Sequence, residues 1–177
     1  STHYDEAFKR LDALVRDVTR VEDRDRVWAE VEESLGDFYW SRRESRNWYQ
    51  GWQFYQNALD WWAGSSDLDI ARSRYLAIVW RASEPPNPQP WERYGYYGYM
   101  IPVPVLENAL TIARTDGDRA RAHFLLAVTL MRTGDYDAAR RVPDEFEAAL
   151  ATGKAAAWYD DALFQYAKFL EDYGPVV

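Results

Sequence analysis

With 177 residues, no cysteine and a formal charge of −8, the chain is expected to form one domain that buries roughly two thirds of its unfolded surface. The lack of cysteine excludes disulfides, thiolate metal sites and cysteine nucleophiles but leaves the compartment open. The acidic balance argues against nucleic-acid or anionic-membrane partners, which reward a basic surface. No apolar run approaches the roughly 20 residues of a membrane span. There is no secretory leader and the first residue is Ser, so the expectation is a processed chain or a piece of something larger.

Residues 4–19 carry Phe8, Leu11, Leu14, Val15 and Val18 at helical spacing with charges between them, which predicts an amphipathic first helix. The pattern breaks over 21–25 and resumes from Arg26 to Ser41 through Trp28, Val31, Leu35, Phe38 and Tyr39. Residues 42–46, RRESR, form a polar turn. A nucleic-acid patch is the other reading of this turn, but its three arginines are offset by Glu44 in an acidic chain. Asn47 is placed to cap a helix over 48–62. Gly64-Ser65-Ser66 stops that helix, and Ser66 with Asp69 resembles a capping box that opens the next one, 67–82.

Residues 84–104 hold six of the eight prolines. Proline fixes φ and removes a donor, so this stretch is expected to be a loop with extended pieces, either functional or packed on the body. Trp91, Tyr94, Tyr96, Tyr97 and Tyr99 argue against simple disorder. Helix resumes over 105–115, Asp116-Gly117-Asp118 turns the chain, and 119–132 forms a further helix through Ala120, Phe124, Ala127 and Met131. Gly134 supplies a left-handed C-terminal cap and Asp135 an N-cap for the next helix, to about 151. Thr152-Gly153-Lys154 breaks the pattern, and a last helix covers 155–173.

Strand signals are absent, so the expected class is all-α. The 119–141 stretch resembles the tetratricopeptide repeat through Leu126-Ala127, Leu130, Gly134, Tyr136 and Ala139, where small residues let two helices approach and large ones fill gaps. Leu163, Tyr166, Ala167, Leu170 and Gly174 follow His123, Leu126, Ala127, Leu130 and Gly134 at a single offset of 40. Leu35, Gly36 and Tyr39, then Gly51, Tyr55, Ala58 and Leu59, and later Leu76, Ala77 and Trp80, repeat parts of the pattern. The resemblance implies an α-α superhelix of degenerate hairpins at about 26–63, 67–115 and 119–151. The 4–19 helix would precede them and the 155–173 helix would follow.

Catalytic signals are few. His3 and His123 have no ligand cluster at metal spacing, and no phosphate loop or nucleophile elbow appears. Adjacent carboxylates such as Asp160-Asp161 and Glu32-Glu33 point about 100° apart on a helix and do not make a dyad. The expectation is a non-enzyme without metal or cofactor.

In tetratricopeptide arrays the first helix of each pair lines a concave face. Carried onto this chain, the resemblance implies a peptide groove built from Trp40, Arg74, Arg81, Arg121, Phe124, Val128, Arg132, Phe164 and Lys168. The four arginines would suit an acidic segment or a carboxylate terminus; the competing reading is ordinary pairing with neighbouring carboxylates. The high aromatic content, 16%, reads either as gap-filling between helices or as a recognition surface. In the second case Trp91, Tyr94, Tyr96, Tyr97 and Tyr99 would stack on a glycan.

Four phrases, WAGSSDLDIARSRYLAIVWR (62–81), YYGYMIPVPVLENAL (96–110), VPDEFEAAL (142–150) and WYDDALFQYAKFL (158–170), resemble the helical region that precedes the macroglobulin domains of large bacterial alpha-2-macroglobulin-like proteins. That resemblance implies an extracytoplasmic scaffolding or docking module. The thioester of that family commonly uses Cys, which this chain lacks, so trapping chemistry cannot reside here.

Overall fold

A computed structural model describes residues 2–92 and 96–174. Among them it is all-helical, as the sequence leads one to expect, with no strand and no helix long and apolar enough to cross a membrane. The chain clusters into two compact units, residues 1–87 and 88–177.

The first unit holds α1 (Thr2–Arg16), α2 (Arg26–Trp40), α3 (Trp48–Ala63) and α4 (Leu68–Ser83). Caps follow the chemistry of short polar side chains. Asp25 accepts from the Trp28 amide and Asn47 from the Gln50 amide. Asp67, and not the expected Ser66, caps α4 by accepting from the Ile70 amide. The first helix ends at Arg16, three residues short of the predicted end, in a turn closed by the Val18 amide on the Val15 carbonyl.

Helices α2 and α3 run antiparallel at backbone-limited distance. A Cβ on Gly36 would lie 2.5 Å from the Tyr55 ring, and one on Gly51 would lie 3.3 Å from the Gly36 carbonyl oxygen. Glycine at both positions lets the two backbones close while Tyr55, 1% exposed, fills the remaining gap. Aromatic rings seal one side, with Phe8 of α1 4.8 Å from Phe38 and Tyr39 stacked on Phe54 at 5.7 Å. On the other side α4 buries Ala71, Tyr75, Ile78, Val79 and Ala82. The indole nitrogens of Trp40 and Trp48 cap the carbonyls of Arg81 and Ala82 near its end.

The second unit holds α5 (Val103–Ile112), α6 (Asp116–Arg132), α7 (Tyr136–Thr152) and α8 (Tyr159–Tyr173), with a short 3-10 turn at Gly98–Met100. The arms of the hairpin expected over 67–115 therefore fall in different units, and α5 takes α6 as its partner. Helix α6 begins three residues earlier than predicted because Thr115 acts as its N-cap, accepting from the Asp118 amide. Gly134 turns α6 into α7 with φ +69°, as its position suggests. Pro143 lies inside α7, which continues through it to Thr152. Helix α8 starts four residues later than predicted. Gly153 packs so closely on Trp158 that a Cβ would lie 2.6 Å from its ring, and turns occupy the interval.

Every side chain from Phe124 to Leu130 is buried. The Pro-rich loop supplies part of that cover: Thr129 donates to the Gly98 carbonyl at 3.0 Å, Ile101 is fully buried, and a Cβ on Gly98 would strike Leu125 at 2.7 Å.

Tyr55 cannot swing away from a new methyl at position 36, because it is buried and its hydroxyl donates to Asp37. Gly36→Ala is therefore expected to cost about 1–3 kcal/mol by overpacking. Urea denaturation should show a lowered midpoint; an unchanged midpoint would mean that α2 and α3 do not approach this closely.

Candidate functional site

In the first unit the face between α2 and α4 is filled by charge pairs. Glu33, 3% exposed, accepts from the Trp62 indole at 2.7 Å and from Arg81 at 2.8 Å, with Arg74 at 3.4 Å. Arg81 forks to Asp37 at 2.8 Å, and Arg74 reaches Glu30 at 3.3 Å. A guanidinium between two carboxylates is well matched to this geometry. Burial alone would lower the Arg81 pKa, but Asp37, Tyr55 and Glu33 raise it above its ordinary value. Burial, with Asp37 beside it, pushes the Tyr55 hydroxyl above the usual phenol range.

Arg74 and Arg81, expected to receive an acidic ligand, are thus engaged by carboxylates of α2. Trp40 is 1% exposed and belongs to the core, not to a groove, because its indole is the cap for the end of α4. The RRESR turn is tied to the body in the same way. Arg42 lies 4.0 Å over Phe38, and Arg46 donates to the Trp40 and Asn87 carbonyls.

In the second unit α6 and α8 leave an open cleft of about 440 Å³. Val128, Met131 and Arg132 enter it from α6, Phe164, Lys168 and Phe169 from α8, and Tyr96 from the loop. Phe164 is 70% exposed, an unusual state for so large an apolar side chain. Arg132 and Lys168 stand among the aromatic rings, and Asp161 and Asp172 also line the cleft. A smaller hollow of about 140 Å³ shares Met131, Phe169 and Tyr173 with it and adds Tyr136 and Ala139.

Of the groove residues expected from the sequence, Val128, Arg132, Phe164 and Lys168 meet here. Phe124 does not; it is 1% exposed and stacks on Trp158 at 4.9 Å, so it is a core residue. Arg121 is half-buried near the start of α6, away from the cleft lining. Sequence reasoning missed Met131, Phe169 and Tyr173 as lining residues. Their spacing on α6 and α8 marks them as core-facing, and nothing local signals that a cleft opens beside them.

The aromatic loop divides. Trp91 is 66% exposed and Tyr96 47%. Tyr97 is half-buried and donates to Glu92 at 2.6 Å, while Tyr99 has the Arg132 guanidinium 5.0 Å from its ring centre. Tyr94 lies outside the described residues. His123 meets Glu145 at 2.7 Å across α6 and α7. Among the described residues no three His, Asp or Glu side chains are grouped to hold a metal ion.

Glu32, beside the charge network, is 4% exposed and accepts one hydrogen bond, from Asn57 at 3.1 Å. Burial raises its pKa from the ordinary 4.5, more than the Asn57 bond and Arg24 offset. The folded state then holds this proton more tightly than the unfolded state. Stability is lost as pH rises from 4.5 through the raised value. Glu32→Gln keeps an acceptor for Asn57 and removes that loss. The melting temperature of the variant relative to wild type should therefore rise between pH 4.5 and neutrality; a difference constant with pH would contradict the burial argument.

No family model matches the chain, and neither a curated protein nor a solved structure matches it significantly.

Proposed function

We propose that the protein is a non-catalytic interaction module that holds an extended peptide in the α6–α8 cleft. One observation carries this reading: Arg132 and Lys168 stand among exposed and half-exposed rings, Phe164, Tyr96 and Tyr173, in a cleft that no side chain of the described residues fills. A peptide side chain of apolar or aromatic type fits against Met131 and Phe169, and an adjacent carboxylate reaches the two cations. The position is the one that first helices occupy in a tetratricopeptide-like array, which is how the hairpins of both units are read. Asp161 and Asp172 lie eleven positions apart on α8, about 16 Å along the axis, beyond the roughly 5–9.5 Å of a cooperating acid pair. That spacing favours binding over hydrolysis.

The resemblance to bacterial alpha-2-macroglobulin-like proteins would make this a docking module within an extracytoplasmic protease-trapping chain. A second reading, glycan binding, draws on the exposed Trp91 and Tyr96 rings. It requires that Trp91→Ala reduce retention on a polysaccharide matrix.

Selection of a random displayed peptide library on the protein is the direct test. Enriched sequences should pair an aromatic or large apolar residue with an acidic one. Phe164→Ala should weaken a selected peptide about ten-fold, the equivalent of about 1.4 kcal/mol, and Lys168→Glu should weaken it further as the acidic residue loses its partner. No enrichment, or peptides indifferent to both substitutions, would overturn the assignment.

A further inference from the structure

One arginine of the first unit lacks the partners its chemistry calls for. The Nε of Arg24 is buried with no acceptor among the described residues, and none of their carboxylates forms an ion pair with this side chain. Glu32 feels its charge but accepts its hydrogen bond from Asn57. The guanidinium lies 4.4 Å over the Trp28 ring, which holds the planar group in place. Arg24 lines a pocket of about 440 Å³ between the short 3-10 turn Val21–Asp23 and the end of α3. That volume falls in the small-molecule range of about 300–1,000 Å³. Trp61 also lines it, its indole donating to the Arg24 carbonyl at 3.1 Å. Asp60 lines the same pocket, exposed and, among the described residues, equally unpaired. So does Ser65, whose hydroxyl accepts from the Asp67 amide at 3.3 Å and keeps its O–H to donate.

We propose that this pocket binds a free α-amino acid with an apolar or aromatic side chain, its carboxylate on Arg24, its ammonium on Asp60 and its side chain against Trp61 and Val21. An unpaired cation and an unpaired anion beside an aromatic ring are the complement of a small zwitterion. A simple anion meets repulsion from Asp60 and a simple cation meets it from Arg24; a ligand carrying both charges engages both. The fork of a guanidinium matches a carboxylate in particular, and the Ser65 hydroxyl adds a neutral donor. Trp61 and the 69% exposed Val21 leave apolar surface for the ligand's side chain. The site belongs to the first unit and shares no residue with the α6–α8 cleft.

Phenylalanine, leucine and tryptophan serve as probes, each titrated into isotope-labelled protein and followed at the Trp61 indole and Val21 methyl signals. At least one should give saturable shifts there, with Val128 and Met131 in the cleft unmoved. For the amino acid that binds, the N-acetyl form, which lacks the ammonium, and the amide, which lacks the carboxylate, should each bind about ten-fold more weakly, as expected for the loss of one charged hydrogen bond. Asp60→Asn, at an exposed site and checked as folded by its thermal melt, should abolish the preference for the free amino acid over its N-acetyl form. Absence of shifts with all three probes, or shifts confined to Val128 and Met131, would overturn the proposal. An N-acetyl form that binds as well as the free amino acid would overturn it in favour of a simple anion site, and an equally bound amide in favour of a simple cation site.

Discussion

Seven consecutive buried side chains, Phe124 to Leu130, set the constraint on which the second unit depends. A helix buried on all sides has no polar face to give to water, so each side must find a cover. Helix α7 takes one side, α5 and the loop turn take others, and Trp158 closes over Phe124. The Pro-rich segment thereby has a packing role: its glycine at 98 exists to let the backbone reach Leu125, and the Gly98 carbonyl satisfies the buried Thr129 hydroxyl. Beyond Leu130 the cover thins, and Met131 and Arg132 line the cleft that opens toward α8.

The first unit solves the same problem with different chemistry. Between α2 and α4 the gap is bridged by Arg74 and Arg81 reaching to Glu30, Glu33 and Asp37. A carboxylate as buried as Glu33 is tolerable only when its oxygens are all engaged, and Trp62 with the two arginines engages them. The two units therefore differ in their cations: Arg74 and Arg81 are engaged internally in the first, whereas Arg132 and Lys168 are exposed beside aromatic rings in the second.

Much of this was legible in the residues. Helical periodicity, the Asn47 and Asp135 caps and the left-handed turn at Gly134 are local properties, and each is found where its chemistry puts it. The errors are of range. Trp40 and Phe124 have the right spacing for a groove, but which face of a helix is exposed depends on neighbours far away in sequence, such as Arg81 and Trp158. Arg74 and Arg81 have the spacing of one face of α4, yet their partners lie more than 40 positions away on α2. The early start of α6 follows from a threonine cap at 115 that competes with the turn tendency of Asp116-Gly117-Asp118.

If cover on every side of α6 is what holds the second unit together, then removing bulk at its centre must be felt in full. Leu126 is fully buried. Chemical denaturation of Leu126→Ala against wild type tests this most directly. The expected loss is about 2–5 kcal/mol; a loss below about 0.5 kcal/mol, the range of a surface substitution, would show that α6 is not the helix on which the others are built.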